Sequence, residues 1–167
     1  MKEHQNLFRD LQEDFRKMKK NLLVAQSGGP TAAINATLAG VIKQAIKEEQ
    51  IDQVYGACYG IQGVLEQKFV NLTEKVDTEE KLEKLKRTPA AALGSCRFKL
   101  NDIKEDDSQY QEIVDILHKM NIGYFVYIGG NDSMDTVGKM SRYVKEHQMD
   151  VKVIGIPKTI DNDLVVT

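Results

Sequence analysis

Cysteine is scarce in this sequence: Cys58 and Cys96 are the two among 167 residues, they stand far apart, and they lack CxxC spacing. That excludes a disulfide framework, and with no secretory signal before them the pair reads as reduced, small packing residues of a cytoplasmic protein. Long apolar runs are missing as well. No stretch approaches the roughly 20 residues of a membrane span, and the first twenty residues are too charged for a signal peptide, so no membrane partner is expected. Charge of one sign is not in excess either. Lys and Arg number 23 against 25 Asp and Glu, a formal net charge of -2, which argues against nucleic acid or an anionic membrane surface as the main partner. Repeats, low-complexity tracts and linkers are absent. What remains is 41% apolar and 29% charged, the balance of a soluble globular domain with a real core.

Two stretches organise the chain, YFVYIGGNDSMD at Tyr124 to Asp135 and VIGIPKTIDND at Val153 to Asp163. In each, an apolar run too short for a helix ends in Gly or Pro followed by Asn, Asp, Ser or Thr, the pattern of a buried parallel strand entering a polar loop. Ligands of open α/β sheets bind beyond the carboxyl ends of the strands. Asn131, Asp132, Ser133, Thr159, Asp161 and Asp163 would meet there, an acidic, oxygen-rich edge suited to Mg²⁺ and phosphate.

Upstream, Leu7, Phe8, Leu11, Phe15 and Met18 give residues 1–20 the spacing of an amphipathic arm. Residues 21–167 form the domain proper. A strand from about Leu22 runs into a Gly28-Gly29 turn and a helix from about Thr31, with Ile34, Leu38, Val41, Ile42 and Ala45 on one face. Helix-start amides and a close-approach glycine turn can hold an anion, though an ordinary structural turn meets the same spacing. A second strand over Asp52 to Tyr59 is followed by GIQG, read as a second glycine loop at the same sheet edge. Residues 71–88 are charged and helix-prone in their second half. ALGSCRFKL sets Arg97 and Lys99 after a Gly-Ser turn, where a guanidinium could grip phosphate or simply face solvent. DDSQYQEIVDILHKM carries Tyr110, Ile113, Val114, Leu117 and Met120 inward as a helix, with His118 at its surface. A further helix should follow GGNDS to about Glu146. Strands alternating with helices predict an α/β fold: a three-layer, Rossmann-like open parallel sheet built from right-handed βαβ units. The stop at Thr167, with no helix to cover the last strand, suggests the N-terminal part of a longer polypeptide.

The chain resembles the 6-phosphofructokinases, and among them the pyrophosphate-dependent branch. QSGGPTAAINA at Gln26 to Ala36, LGSCRF at Leu93 to Phe98, IGGNDS at Ile128 to Ser133 and PKTIDND at Pro157 to Asp163 carry the likeness, in family order over residues 21–167. The resemblance implies the N-terminal part of the phosphofructokinase fold and transfer of a phosphoryl group to the 1-hydroxyl of fructose 6-phosphate in glycolysis, within a homodimer or homotetramer. It implies Asp161 as the base that takes the hydroxyl proton and Arg97 as the cation that neutralises charge on the moving group. Thr159 would bond the sugar or the transferring phosphate, Gly28 and Gly29 would offer amides to the donor, and Asp163 with Asn131 would hold Mg²⁺. ATP-using relatives read GGDGS and PGTIDND, with Gly where this chain has Asp132 and Lys158, and a Tyr near the adenine where this chain has Ile61. The two filled positions, with Ser133 beside them, point to pyrophosphate as donor: Asp132 would repel an α-phosphate and Lys158 would reach a compact, highly charged pyrophosphate. Asp132 as a helix cap is the structural alternative. ATP as donor, and a non-catalytic phosphate-binding or regulatory subunit suggested by the uncharged Asn131, are the competing functions.

Overall fold

The computed structural model describes residues 19–158. The expected arm before Lys19 lies outside them, as do Thr159, Asp161 and Asp163.

Strand β1 (Lys20–Gln26) occupies the middle of a five-stranded sheet. Helix α1 (Ile34–Ala45) leads to β2 (Ile51–Ala57), and the short α2 (Gly60–Leu65) leads to β3 (Phe69–Asn71). Helices α3 (Leu72–Lys75), α4 (Glu79–Arg87) and α5 (Ser108–Lys119) precede β4 (Ile122–Gly129), which continues through α6 (Asn131–Glu146) to β5 (Lys152–Pro157). The strand order is β3-β2-β1-β4-β5.

Alternation along the central strands explains the three layers. Leu23 and Ala25 of β1, with Phe125 and Tyr127 of β4, pack under α2, α5 and α6, while Leu22, Val24, Val126 and Ile128 pack under α1 and α4. Both faces are buried, so the strand sequences read as unbroken apolar runs. In α1 the residues Ile34, Leu38, Ile42 and Ala45 are buried at helical spacing. The helix begins at Ile34 and not Thr31, because the chain first makes a turn in which the Ile34 N–H reaches the Thr31 carbonyl.

Two expectations need correction. The sheet is mixed and not wholly parallel: β3 runs antiparallel to β2, pairing Tyr55 with Asn71 and Ala57 with Phe69. Residues 58–68 are less chain than the dozen or more that a parallel crossover needs, so the strand returns as a hairpin arm. GIQG is also no loop at the ligand edge; it is the first turn of α2. Its glycines serve packing. A Cβ on Gly63 would sit 1.5 Å from the Cys58 carbonyl oxygen, and one on Gly60 would meet Cys96 Sγ at 2.8 Å.

The connections decide where a ligand can go. From β1 the chain crosses over one face through α1, whereas from β4 it crosses the opposite face through α6. Between β1 and β4 the order of winding reverses, and a crevice opens there at the carboxyl ends of the strands. At the far side, β5 has no outer neighbour among the described residues, and its Ile154 is 45% exposed.

Candidate functional site

At this reversal, β1 ends in Ser27-Gly28-Gly29 and β4 ends in Gly129-Gly130. The Ser27 N–H still donates to the Ile128 carbonyl at 2.9 Å, so the strands stay paired up to the lip of the crevice. Gly28 has φ +76°, a left-handed conformation that side chains resist, and a Cβ there would lie 3.6 Å from both the Gly130 nitrogen and Lys158 Nζ. On the other side, a Cβ on Gly129 would strike Ser133 Oγ at 2.2 Å. Ser133 is accordingly buried against the strand end at 4% exposure.

Helix α6 begins at this lip, with Gly130 as its N-cap and no side chain capping it. Asp132 therefore does not act as the cap; it stands in the first turn, where a carboxylate meets the positive end of the helix dipole. Lys158 returns from β5: its N–H donates to the Gly129 carbonyl at 2.8 Å and its ammonium donates to the Gly29 carbonyl. The cation thus lies across the glycine turn.

The third wall is irregular chain, residues 88–100, anchored by side chains from below. Gln26, wholly buried at the end of β1, accepts from the Leu93 N–H at 2.9 Å through Oε1 and donates through Nε2 to Asn35 Oδ1 at 3.0 Å and the Ile34 carbonyl at 3.2 Å. Asn35, also wholly buried, accepts from the Ala92 N–H and donates to the Thr88 carbonyl, both at 2.9 Å. Farther along, Ser27 Oγ donates to the Cys96 carbonyl at 3.2 Å and Ser95 Oγ to the Gly28 carbonyl at 2.5 Å. Arg97 and Lys99 follow at once. Tyr127 forms the floor, its hydroxyl accepting from the Ile61 N–H at 3.2 Å; burial pushes that hydroxyl up to about 12.

The result is a cleft of about 620 Å³ that gathers Gly28, Gly29, Arg97, Lys99, Asn131, Asp132, Ser133 and Lys158. Arg97, Lys99 and Lys158 outnumber the carboxylate of Asp132 among the described lining residues. With a left-handed glycine turn and a helix start alongside, this is an anion site fit for phosphate. Ile61 lies outside it, wholly buried in the core. The exposed ring nearby is Tyr59, left-handed at φ 64° and packed over Gly94, and it does not line the cleft. Sequence reasoning missed Gln26, Asn35, Ser27 and Tyr127; a lone amide closing an apolar strand and another in the first turn of the next helix were the available signal.

The family model described as Phosphofructokinase matches residues 21–167. The chain belongs to the phosphofructokinase family. It is 44% identical over 148 residues to a pyrophosphate--fructose 6-phosphate 1-phosphotransferase of Rhodospirillum rubrum, covering 89% of this chain and 35% of the relative. An ATP-dependent 6-phosphofructokinase of Bacteroides thetaiotaomicron is more distant, at 32% identity over 84% of this chain and 39% of the relative. A crystal structure of a pyrophosphate-dependent phosphofructokinase from Nitrosospira multiformis superposes with a TM-score of 0.80 at 38% identity, covering 89% of this chain and 36% of that one. The chain thus spans about a third of the length of the relatives it matches.

For a metal, the described residues offer oxygen atoms at Asn131 and Asp132 but no group of three or more His, Cys, Asp or Glu able to hold an ion. Their chemistry fits a divalent cation that arrives with phosphate oxygens and is completed by a further carboxylate.

Proposed function

We propose that the complete protein containing this chain is a pyrophosphate-dependent 6-phosphofructokinase, moving a phosphoryl group from pyrophosphate to the 1-hydroxyl of fructose 6-phosphate in glycolysis. The observation that carries the donor assignment is Lys158 laid across the Gly28-Gly29 turn in the cleft that Asp132 also lines. Both side chains occupy ground that is glycine in the ATP-using pattern. An α-phosphate would meet the Asp132 carboxylate there, whereas pyrophosphate meets the Lys158 ammonium. The named relatives at 44% and 38% identity support the same reading.

In this reading the amides of Gly28 and Gly29 bind the donor, Arg97 stabilises the charge of the transferring group, and Ser133 fixes the start of α6 against β4. Asp161 removes the sugar hydroxyl proton and Thr159 orients the sugar or the phosphate. Asn131 and Asp163 would hold Mg²⁺, which shields the phosphate charge. A homodimer or homotetramer in the cytoplasm is the expected setting, in keeping with the free thiols of Cys58 and Cys96.

The test is activity of the complete enzyme with pyrophosphate and with ATP, side by side. Turnover with pyrophosphate alone is expected, and Asp132→Gly with Lys158→Gly should weaken it while admitting some ATP. Equal use of both donors would replace this reading with the ATP-dependent one. Pyrophosphate binding without turnover of either donor would favour a regulatory subunit.

A further inference from the structure

Gln26 and Asn35 lie beneath the cleft and touch no part of its open volume, yet their hydrogen bonds run to the wall that carries Arg97. We propose that they form a buried amide clamp that sets the distance between the glycine turn and Arg97, and so act as positioning residues for phosphoryl transfer. The proposal rests on reading the cleft as a phosphoryl-transfer site.

The stretch from Thr88 to Cys96 has neither helix nor strand to fix it. Besides the Tyr59 N–H, which donates to the Leu93 carbonyl at 2.7 Å, its backbone is held by side chains from the β1–α1 unit that builds the glycine turn. Asn35 takes Thr88 and Ala92, Gln26 takes Leu93, and the Gln26–Asn35 bond locks the two amides to each other. Ser27 and Ser95 add two more stitches nearer the cleft. Every polar atom of both buried amides is used, which is the condition under which such a pair adds rigidity and a single geometry. Apolar side chains could fill the same volume. They could not dictate where Leu93, and four residues later Arg97, stand relative to Gly28. Electrostatic stabilisation of a moving phosphoryl group depends on that distance, and displacement by about 1 Å can cost on the order of 100-fold in rate.

The experiment uses the complete enzyme and a double-mutant cycle. Gln26→Met and Asn35→Ala are each made alone and together with Arg97→Ala, with kcat and KM for both substrates measured against the unaltered enzyme. Each single change is expected to lower kcat by roughly 10- to 100-fold while leaving KM for fructose 6-phosphate within about twofold. On an Arg97→Ala background the same changes should cost less than about threefold, because the group they position is gone. Full multiplication of the losses would overturn the proposal. Should either core variant fail to fold, Ser95→Ala breaks one half-buried stitch only; it is expected to lose about fivefold in kcat, again only when Arg97 is present. An unchanged kcat in Ser95→Ala would equally overturn it. All ratios are taken with whichever donor the unaltered enzyme uses, so a wrong donor assignment shows in that enzyme alone and leaves the cycle readable.

Discussion

Tyr127 links the floor of the cleft to alkaline pH. Burial raises its hydroxyl to about 12 from the ordinary 10, so folding favours the neutral phenol. Below pH 10 that contribution is complete; as pH rises through 12 the unfolded chain has already ionised and the contribution is lost. The loss amounts to roughly 2–3 kcal/mol. Tyr127→Phe should therefore flatten the fall of the urea-unfolding midpoint between pH 10 and 12, while losing about 1 kcal/mol near pH 7 with the Ile61 hydrogen bond. A second change addresses the chemistry: Asp161→Ser in the complete enzyme should lower kcat by roughly two to four orders of magnitude with the fold intact, and a near-normal kcat would remove Asp161 from the base role. The residues legible in the sequence were those with local signatures, such as Gly28, Arg97 and Lys158. Gln26 and Asn35 were not, because their partners are backbone groups of a segment some 60 positions later, and no local spacing marks such a bond.

Helix α2 shows how one element can be misread for a sound local reason. Glycines at 60 and 63 look like a ligand loop, since glycine is costly inside a helix. Here the chain passes so close to Cys58 that position 63 has no room for a side chain, and that proximity is set by the neighbouring strand. Gly63→Ala is expected to destabilise the fold by at least about 3 kcal/mol, the cost of forcing backbone apart. Gly40 in α1 has nothing within 4 Å of its Cβ direction, and Gly40→Ala should add about 0.5–1 kcal/mol. Thermal or urea unfolding of both variants checks the contrast; equal effects would contradict it. Strand β3 escaped notice because three residues, FVN, carry no period to read. The long periodic elements, α1, α5, α6 and β4, were plain from the sequence.

At the scale of the molecule, the described residues assemble a cleft fit for an anion, and the chain spans about a third of its relatives. The chain by itself is expected to form no fructose 1,6-bisphosphate, as a coupled assay on the purified 167-residue protein would show; measurable product would mean that the sugar site is contained within it. The central pairing carries a different consequence. Strands β1 and β4, whose ends form the two lips of the cleft, come together only by closing about a hundred residues of chain, as the Asn21 bond to the Met120 carbonyl across a separation of 99 shows. Contacts so distant in sequence are slow to form, and no partly folded species containing only the first half of the chain can hold the lips together. An anion held between the two lips would thus bind only chains whose long-range topology is complete, so that its binding reports finished folding.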